Sequence, residues 1–183
     1  MKKKKFFLVL IILFVILFVI WFFIKKNTNK QEFIEYTPQQ EISEEQERKC
    51  LVSLYFRNKE TKMLMPEARL IDAKTLIENP YYTLVNLLIE GPKNEKLESA
   101  LPQGTKLNNV KIEQDMVIVD LSKEFIKNTN LGAEEESKII YSIVNTLTEL
   151  TEVNSVKILI DGEEGKEFED GEINFKQPFA RMK

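Results

Sequence analysis

Residues Phe6–Ile24 read FFLVLIILFVILFVIWFFI, nineteen residues with no polar or charged side chain. As a helix rising 1.5 Å per residue this run reaches about 28 Å, enough to cross the hydrocarbon core of a bilayer. No water is available there to bond the backbone, so a helix is the expected form. Trp21, Phe22 and Phe23 lie near its far end, where aromatic rings anchor at the interface. A cleaved leader has a shorter apolar region, about 7–15 residues, followed by a small-x-small site. Here KKNTNKQ follows instead, so the run reads as an uncleaved anchor whose partner is the lipid bilayer through residues 6–24. No helical face of it is polar, which argues against a core helix. Lys2–Lys5 precede the run, whereas Lys25, Lys26 and Lys30 follow it. That excess places the amino terminus in the cytoplasm and everything after residue 26 outside it, a single-pass arrangement.

The chain has 183 residues, no histidine and one cysteine. Without histidine there is no Ser-His-Asp or Cys-His catalysis and no imidazole-dependent metal site. Cys50 has no partner for an internal disulfide. It lies too far from the amino terminus to be a lipid-bearing cysteine and reads as a small residue at a strand start. Setting aside the six lysines that flank the apolar run (Lys2–Lys5, Lys25 and Lys26) leaves 20 of the 26 basic residues against 29 acidic ones, a net of about -9. An acidic domain repels phosphate backbones, so no nucleic-acid partner is expected, and anionic lipid or wall polymer surfaces are disfavoured too.

Three regions follow: a transmembrane anchor over 1–26, a polar tether over 27–49 and a domain over 50–183. The tether, NTNKQEFIEYTPQQEISEEQERK, has few large apolar side chains and spans roughly 25 Å as a flexible chain. CLVSLYFR alternates as a half-buried strand. After a turn at NKET, KMLMPEARLI returns as a second strand, placed on an edge because Pro66 cannot donate to a ladder. ENPYYTLVNLLIEGP is a helix, with Asn79 as cap, Pro80 in the first position and Gly91 as a left-handed end. KNEKLESALPQGTKL is a turn-rich connection with a short helical piece. VKIEQDMVIVDL is a hairpin turning near Gln114–Asp115. GAEEESKIIYSIVNTLTELTEV is a second long helix, its three first-turn glutamates matching the helix dipole. VKILIDG is a further strand, after which the chain turns acidic and irregular. The fold class expected is α+β: a small antiparallel or mixed sheet with two main helices packed on one face.

Three stretches invite a chemical reading. Ser122 follows the strand end at Asp120, but a serine nucleophile needs a base within reach. Lys123 would serve only if burial lowered its pKa. Ser122 reads instead as the cap of a short helix, KEFIKN, with Asp120 accepting further backbone donors or complementing the helix dipole. DGEEGKEFEDGE lacks the spacing of a calcium loop and reads as a solvated hairpin loop. No glycine-rich phosphate loop is present. No catalytic, cofactor-binding or metal-binding residue is therefore assigned, and no cofactor is expected.

MLMPEARLI, LLIEGP, SALPQGTKL, IVDLSKEF, IIYSIVNTLTEL and VKILIDG occur in that order over about residues 51–168. Together they resemble the GerMN domain, the sporulation and spore germination domain of Gram-positive bacteria. One departure is Met116, where the family pattern would place glycine after the turn. The resemblance implies an extracytoplasmic, membrane-tethered module with no established catalytic residue. It also implies a core similar to the ring-building motif, here Asn79–Glu90, Lys106–Leu121, Ala133–Leu150 and Val153–Asp161. Its expected partners are envelope or sporulation proteins, with the mother cell–forespore channel as one such assembly and a homo-oligomer left open. A peptidoglycan-binding module is the alternative, for which Tyr36, Tyr55, Tyr81 and Tyr82 are the available stacking tyrosines. A histidine-free hydrolase using Ser122 is the second.

Overall fold

The computed structural model describes residues 14–22, 48–127, 132–169 and 171–181. They fall into two compact units, within Met1–Glu41 and Ile42–Lys183. In the first, residues 14–22 are helical with their apolar side chains exposed. Among the described residues no helix is long and apolar enough to cross a membrane. The remainder of the Phe6–Ile24 run, and nearly all of the tether, lie outside the described residues.

The second unit is α+β, but it has two sheets rather than the one expected. The first joins β1 (Lys49–Asn58), β2 (Leu64–Asp72) and β3 (Leu97–Glu98) in the order β2-β1-β3, all antiparallel. The second joins β4 (Leu107–Glu113), β5 (Met116–Leu121), β6 (Ser155–Ile160) and β7 (Phe179–Ala180) in that order. Strands β5 and β6 run parallel and the other two pairs antiparallel. The sheets stay separate because a helix occupies the free edge of β1. Helix α3 (Ala133–Leu147) places Ser142 and Thr146 one turn apart against Tyr55. The Ser142 hydroxyl donates to the Tyr55 carbonyl at 2.6 Å, and Thr146 Oγ1 accepts the Tyr55 N–H at 3.0 Å. Two buried hydroxyls thus do what a neighbouring strand would do.

Three shorter elements were not anticipated. Helix α1 (Ala73–Glu78) follows β2 directly, started by Asp72, whose carboxylate accepts the Lys74 N–H at 2.8 Å. Asn79 ends α1 with its N–H on the Thr75 carbonyl, so it does not cap helix α2 (Pro80–Glu90) with its side chain. The second is β3, which replaces the expected helical piece of the connection; β7 adds order to the acidic carboxyl-terminal stretch. Helix α3 ends at Leu147, short of the expected Val153.

The core is formed where the inward residues of β1, β5 and β6 meet α2 and α3: Leu54 and Phe56, Val117 and Val119, Val156 and Ile158, Leu84 and Leu88, Ile140 and Ile143. Chain order α2–β4–β5–α3–β6 follows the expected helix–hairpin–helix–strand core. Gln114 carries the positive φ of the hairpin turn, at 58°, so the turn needs no glycine at Met116.

Candidate interaction surface

Each family-like motif finds its work in holding one loop against another. In MLMPEARLI, Arg69 is buried and its guanidinium bonds Glu67 and the Gly91 carbonyl, the latter at 3.0 Å. Arg69 also lies 5.7 Å from the centre of the Phe56 ring. The other oxygen of Glu67 accepts the N–H groups of Lys93 and Asn94, both at 2.9 Å. This pair therefore clamps the loop that leaves α2. Burial pushes the Glu67 carboxyl up, but the Asn94 N–H, the Arg69 guanidinium and the Lys93 N–H outweigh it and hold it below the ordinary range. Gly91 ends α2 with φ 92° and ψ 177°, not the left-handed cap expected; glycine alone reaches this region readily.

SALPQGTKL and IVDLSKEF close on one another. Thr105 donates its hydroxyl to the Pro102 carbonyl at 2.7 Å, tying down a turn in which Gly104 has φ 85°. Lys106 N–H then donates to Ser122 Oγ at 3.1 Å, and the Ser122 N–H donates to the Lys106 carbonyl at 2.9 Å. Ser122 is buried, and its side chain makes no cap bond to the 3-10 turn Lys123–Ile126, which corrects the expected capping role. Its hydroxyl instead welds the end of β5 to the start of β4, and its contact with Glu124 is the main cause holding that carboxyl below its ordinary range. Asp120 accepts the Gly162 N–H at 2.9 Å, so its backbone donor comes from the turn after β6 rather than from the short helix beside Ser122.

The acidic stretch after β6 is not merely a solvated loop. It returns Phe168 and Phe175 to the core, where their rings lie 5.7 and 6.0 Å from Phe125. Glu136, expected to serve the helix dipole, is fully buried and accepts the N–H groups of Glu172 and Ile173 at 3.0 and 2.9 Å. A glycine must stand at 171: a Cβ there would meet Phe168 Cβ at 2.5 Å and Glu136 Oε1 at 2.6 Å. The signal in sequence was weak: one glutamate among three, and two phenylalanines scattered through charge.

Two of the tyrosines are engaged. Tyr55 donates to Glu149 at 2.8 Å and accepts from Arg181 at 2.6 Å, which fastens the carboxyl-terminal segment. Tyr81 donates to Glu152. Tyr82 is half exposed, and Tyr36 lies outside the described residues. Among the described residues no three His, Cys, Asp or Glu side chains are grouped to hold a metal. Cys50 is free and half-buried.

What remains outward is the far side of the first sheet. Cross-strand partners Leu51–Leu70, Ser53–Ala68 and Tyr55–Pro66 share the face away from Val52, Leu54 and Phe56. Leu51 is 67% and Leu70 64% exposed. Strand β2 is an edge, as Pro66 foretold. The Ala73 N–H bonds the Arg48 carbonyl, and the Asn58 N–H bonds the Met63 carbonyl. In the antiparallel register this alternation turns the odd-numbered backbone groups of β2 toward β1 and those of Leu64, Pro66, Ala68 and Leu70 toward solvent. A cleft runs along this edge, lined by residues 66–70 of β2 and by Lys93 and Asn94. A second concavity lies between Met63 and Leu64 and the Lys138 and Tyr141 side of α3.

The fold is a small α+β domain whose motif residues Glu67, Arg69, Thr105, Asp120 and Ser122 hold its loops together. A family described as Germane: Sporulation and spore germination matches residues 53–166, and the chain belongs to that family. It is 38% identical over 96 residues to the spore germination protein GerM of Bacillus subtilis (strain 168), covering 50% of this chain and 25% of that protein. The chain thus spans about a quarter of the curated relative's length. Among solved structures, the first GerMN domain of the sporulation protein GerM from Bacillus subtilis is similar at 25% identity and a TM-score of 0.60. That match covers 72% of this chain and 98% of the domain. A Clostridium perfringens protein described as a lipoprotein is similar at 27% identity and a TM-score of 0.50, covering 73% of this chain and 88% of that one.

Proposed function

We propose that this chain is a membrane-anchored, extracytoplasmic module that binds other envelope proteins during sporulation or spore germination, and that it catalyses no reaction. The observation that carries this reading is where the motif residues spend their polar groups. Glu67, Arg69, Thr105, Asp120 and Ser122 all bond backbone or one another. Ser122 donates its N–H and accepts the Lys106 N–H within the hairpin, its hydroxyl meets the Glu124 carboxylate, and the chain has no histidine to activate it. A domain that uses its recurring residues to fix loops presents a shaped surface rather than a reaction centre. The apolar run Phe6–Ile24 supports the anchor, with the lysine excess before it directing the domain outward. The lipoprotein among its structural relatives supports a place at the envelope. The mother cell–forespore channel is the assembly such a module would serve.

Cross-linked affinity capture of the full chain from sporulating membranes tests this. The expected result is a reproducible set of envelope proteins, together with a sporulation or germination defect when the gene is deleted. Recovery of the chain alone, with normal spores on deletion, overturns it.

A further inference from the structure

We infer that the open edge of β2 is a strand-addition site for an extended peptide that alternates apolar and acidic residues; this rests on the reading above and names the partner's chemistry. Three observations converge. First, the outward N–H groups of Ala68 and Leu70 and the carbonyls of Pro66, Ala68 and Leu70 have no strand beside them. Such groups give a peptide its main-chain bonds. Pro66 removes one donor from the middle, so the edge accepts a short strand but is poorly suited to open-ended sheet growth. Second, the outer face beside this edge is apolar and exposed at Leu70 and its neighbour Leu51, while Pro66 lies next to Tyr55, whose ring Arg181 covers in part. Residues of an added antiparallel strand opposite Ala68 and Leu70 point to that face, and apolar side chains there would extend it. Third, the alternate residues point toward the cleft floor, where Lys93 stands exposed with its ammonium bonded to no described residue. The neighbouring Glu67 carboxylate is already committed to Arg69 and two backbone N–H groups. An acidic side chain at those positions meets the Lys93 ammonium.

The test uses the full chain in lipid nanodiscs and a fluorescein-labelled octapeptide of alternating valine and glutamate, read by fluorescence anisotropy. Saturable binding is expected, weakened about tenfold when the same composition is reordered as four valines followed by four glutamates. Ala68→Pro removes an outward donor without touching the β1 ladder and is expected to weaken binding about tenfold. Leu70→Glu, which alters only an exposed side chain, is expected to do likewise, and Lys93→Glu to weaken it at least about fivefold with loss of salt dependence. Absence of saturable binding, or equal affinity of the wild type and both Leu70→Glu and Lys93→Glu, overturns the inference. A dimer that Ala68→Pro dissolves also overturns it, in favour of a second copy on this edge. If the peptide fails while membrane capture still recovers envelope proteins, the edge is wrong and the broader function stands; failure of both removes both.

Discussion

Arg69 and Glu67 illustrate how a charge pair is held inside an acidic domain. Both side chains are nearly buried, and together they engage three backbone groups of a loop, the Gly91 carbonyl and the Lys93 and Asn94 N–H groups. Removing one partner strands the other, which typically costs about 3–5 kcal/mol. Arg69→Met is therefore expected to lower the urea midpoint far more than a surface charge change such as Lys111→Met, measured by equilibrium unfolding. Gly171→Ala inserts a methyl group into the space held by Phe168 and Glu136. Overpacking of that kind costs about 1–3 kcal/mol, seen as a lower Tm. Gln114 runs the other way: a non-glycine residue at φ 58° is strained, so Gln114→Gly is expected to raise stability by about 0.5–1 kcal/mol. Residue types such as these were partly legible. Pro66 announced an edge because its missing N–H has one physical meaning. Glu136 did not announce its burial, because its neighbours Glu134 and Glu135 have the same chemistry and only the returning loop distinguishes them.

At the scale of elements, the long α2 and the hairpin were readable because period and punctuation agree: Pro80 opens the helix, Gly91 closes it, and Val117, Val119 and Leu121 alternate. What sequence could not show was how the sheets end. The free edge of β1 is closed by Ser142 and Thr146, two residues that on a helix read as neutral polar positions. Ser142→Ala combined with Thr146→Val leaves the Tyr55 N–H and carbonyl buried without partners. A loss of about 1–3 kcal/mol for each unsatisfied group follows, measurable by urea unfolding and by faster hydrogen exchange at Tyr55. The short α1, β3 and β7 were likewise illegible, since elements of two to six residues have too few positions to display a period.

For the whole molecule, pH reads the ion pairs together. Glu98 is held below its ordinary range chiefly by Lys62, Glu135 by Lys138 and Glu149 by Arg181, while Glu67 sits low despite its burial. A carboxyl depressed on folding contributes its full stability above the unfolded value, about 4.3 for glutamate, and loses it as pH falls through the folded value. Stability should thus be level near neutrality and fall on acidification below about pH 4.5, with Arg69→Met falling less steeply than wild type. The family was legible from the ordered motifs, but the outward face of the first sheet was not, because an alternating strand does not say which of its two faces a helix will cover. The proposed role requires this domain to act outside the cytoplasm by touching other proteins. The direct measurement is to place a photo-cross-linking amino acid at Leu70 in the full chain and illuminate sporulating cells. Cross-links to the extracytoplasmic part of another envelope protein are expected; cross-links only to cytoplasmic proteins, or to no protein, would overturn that role.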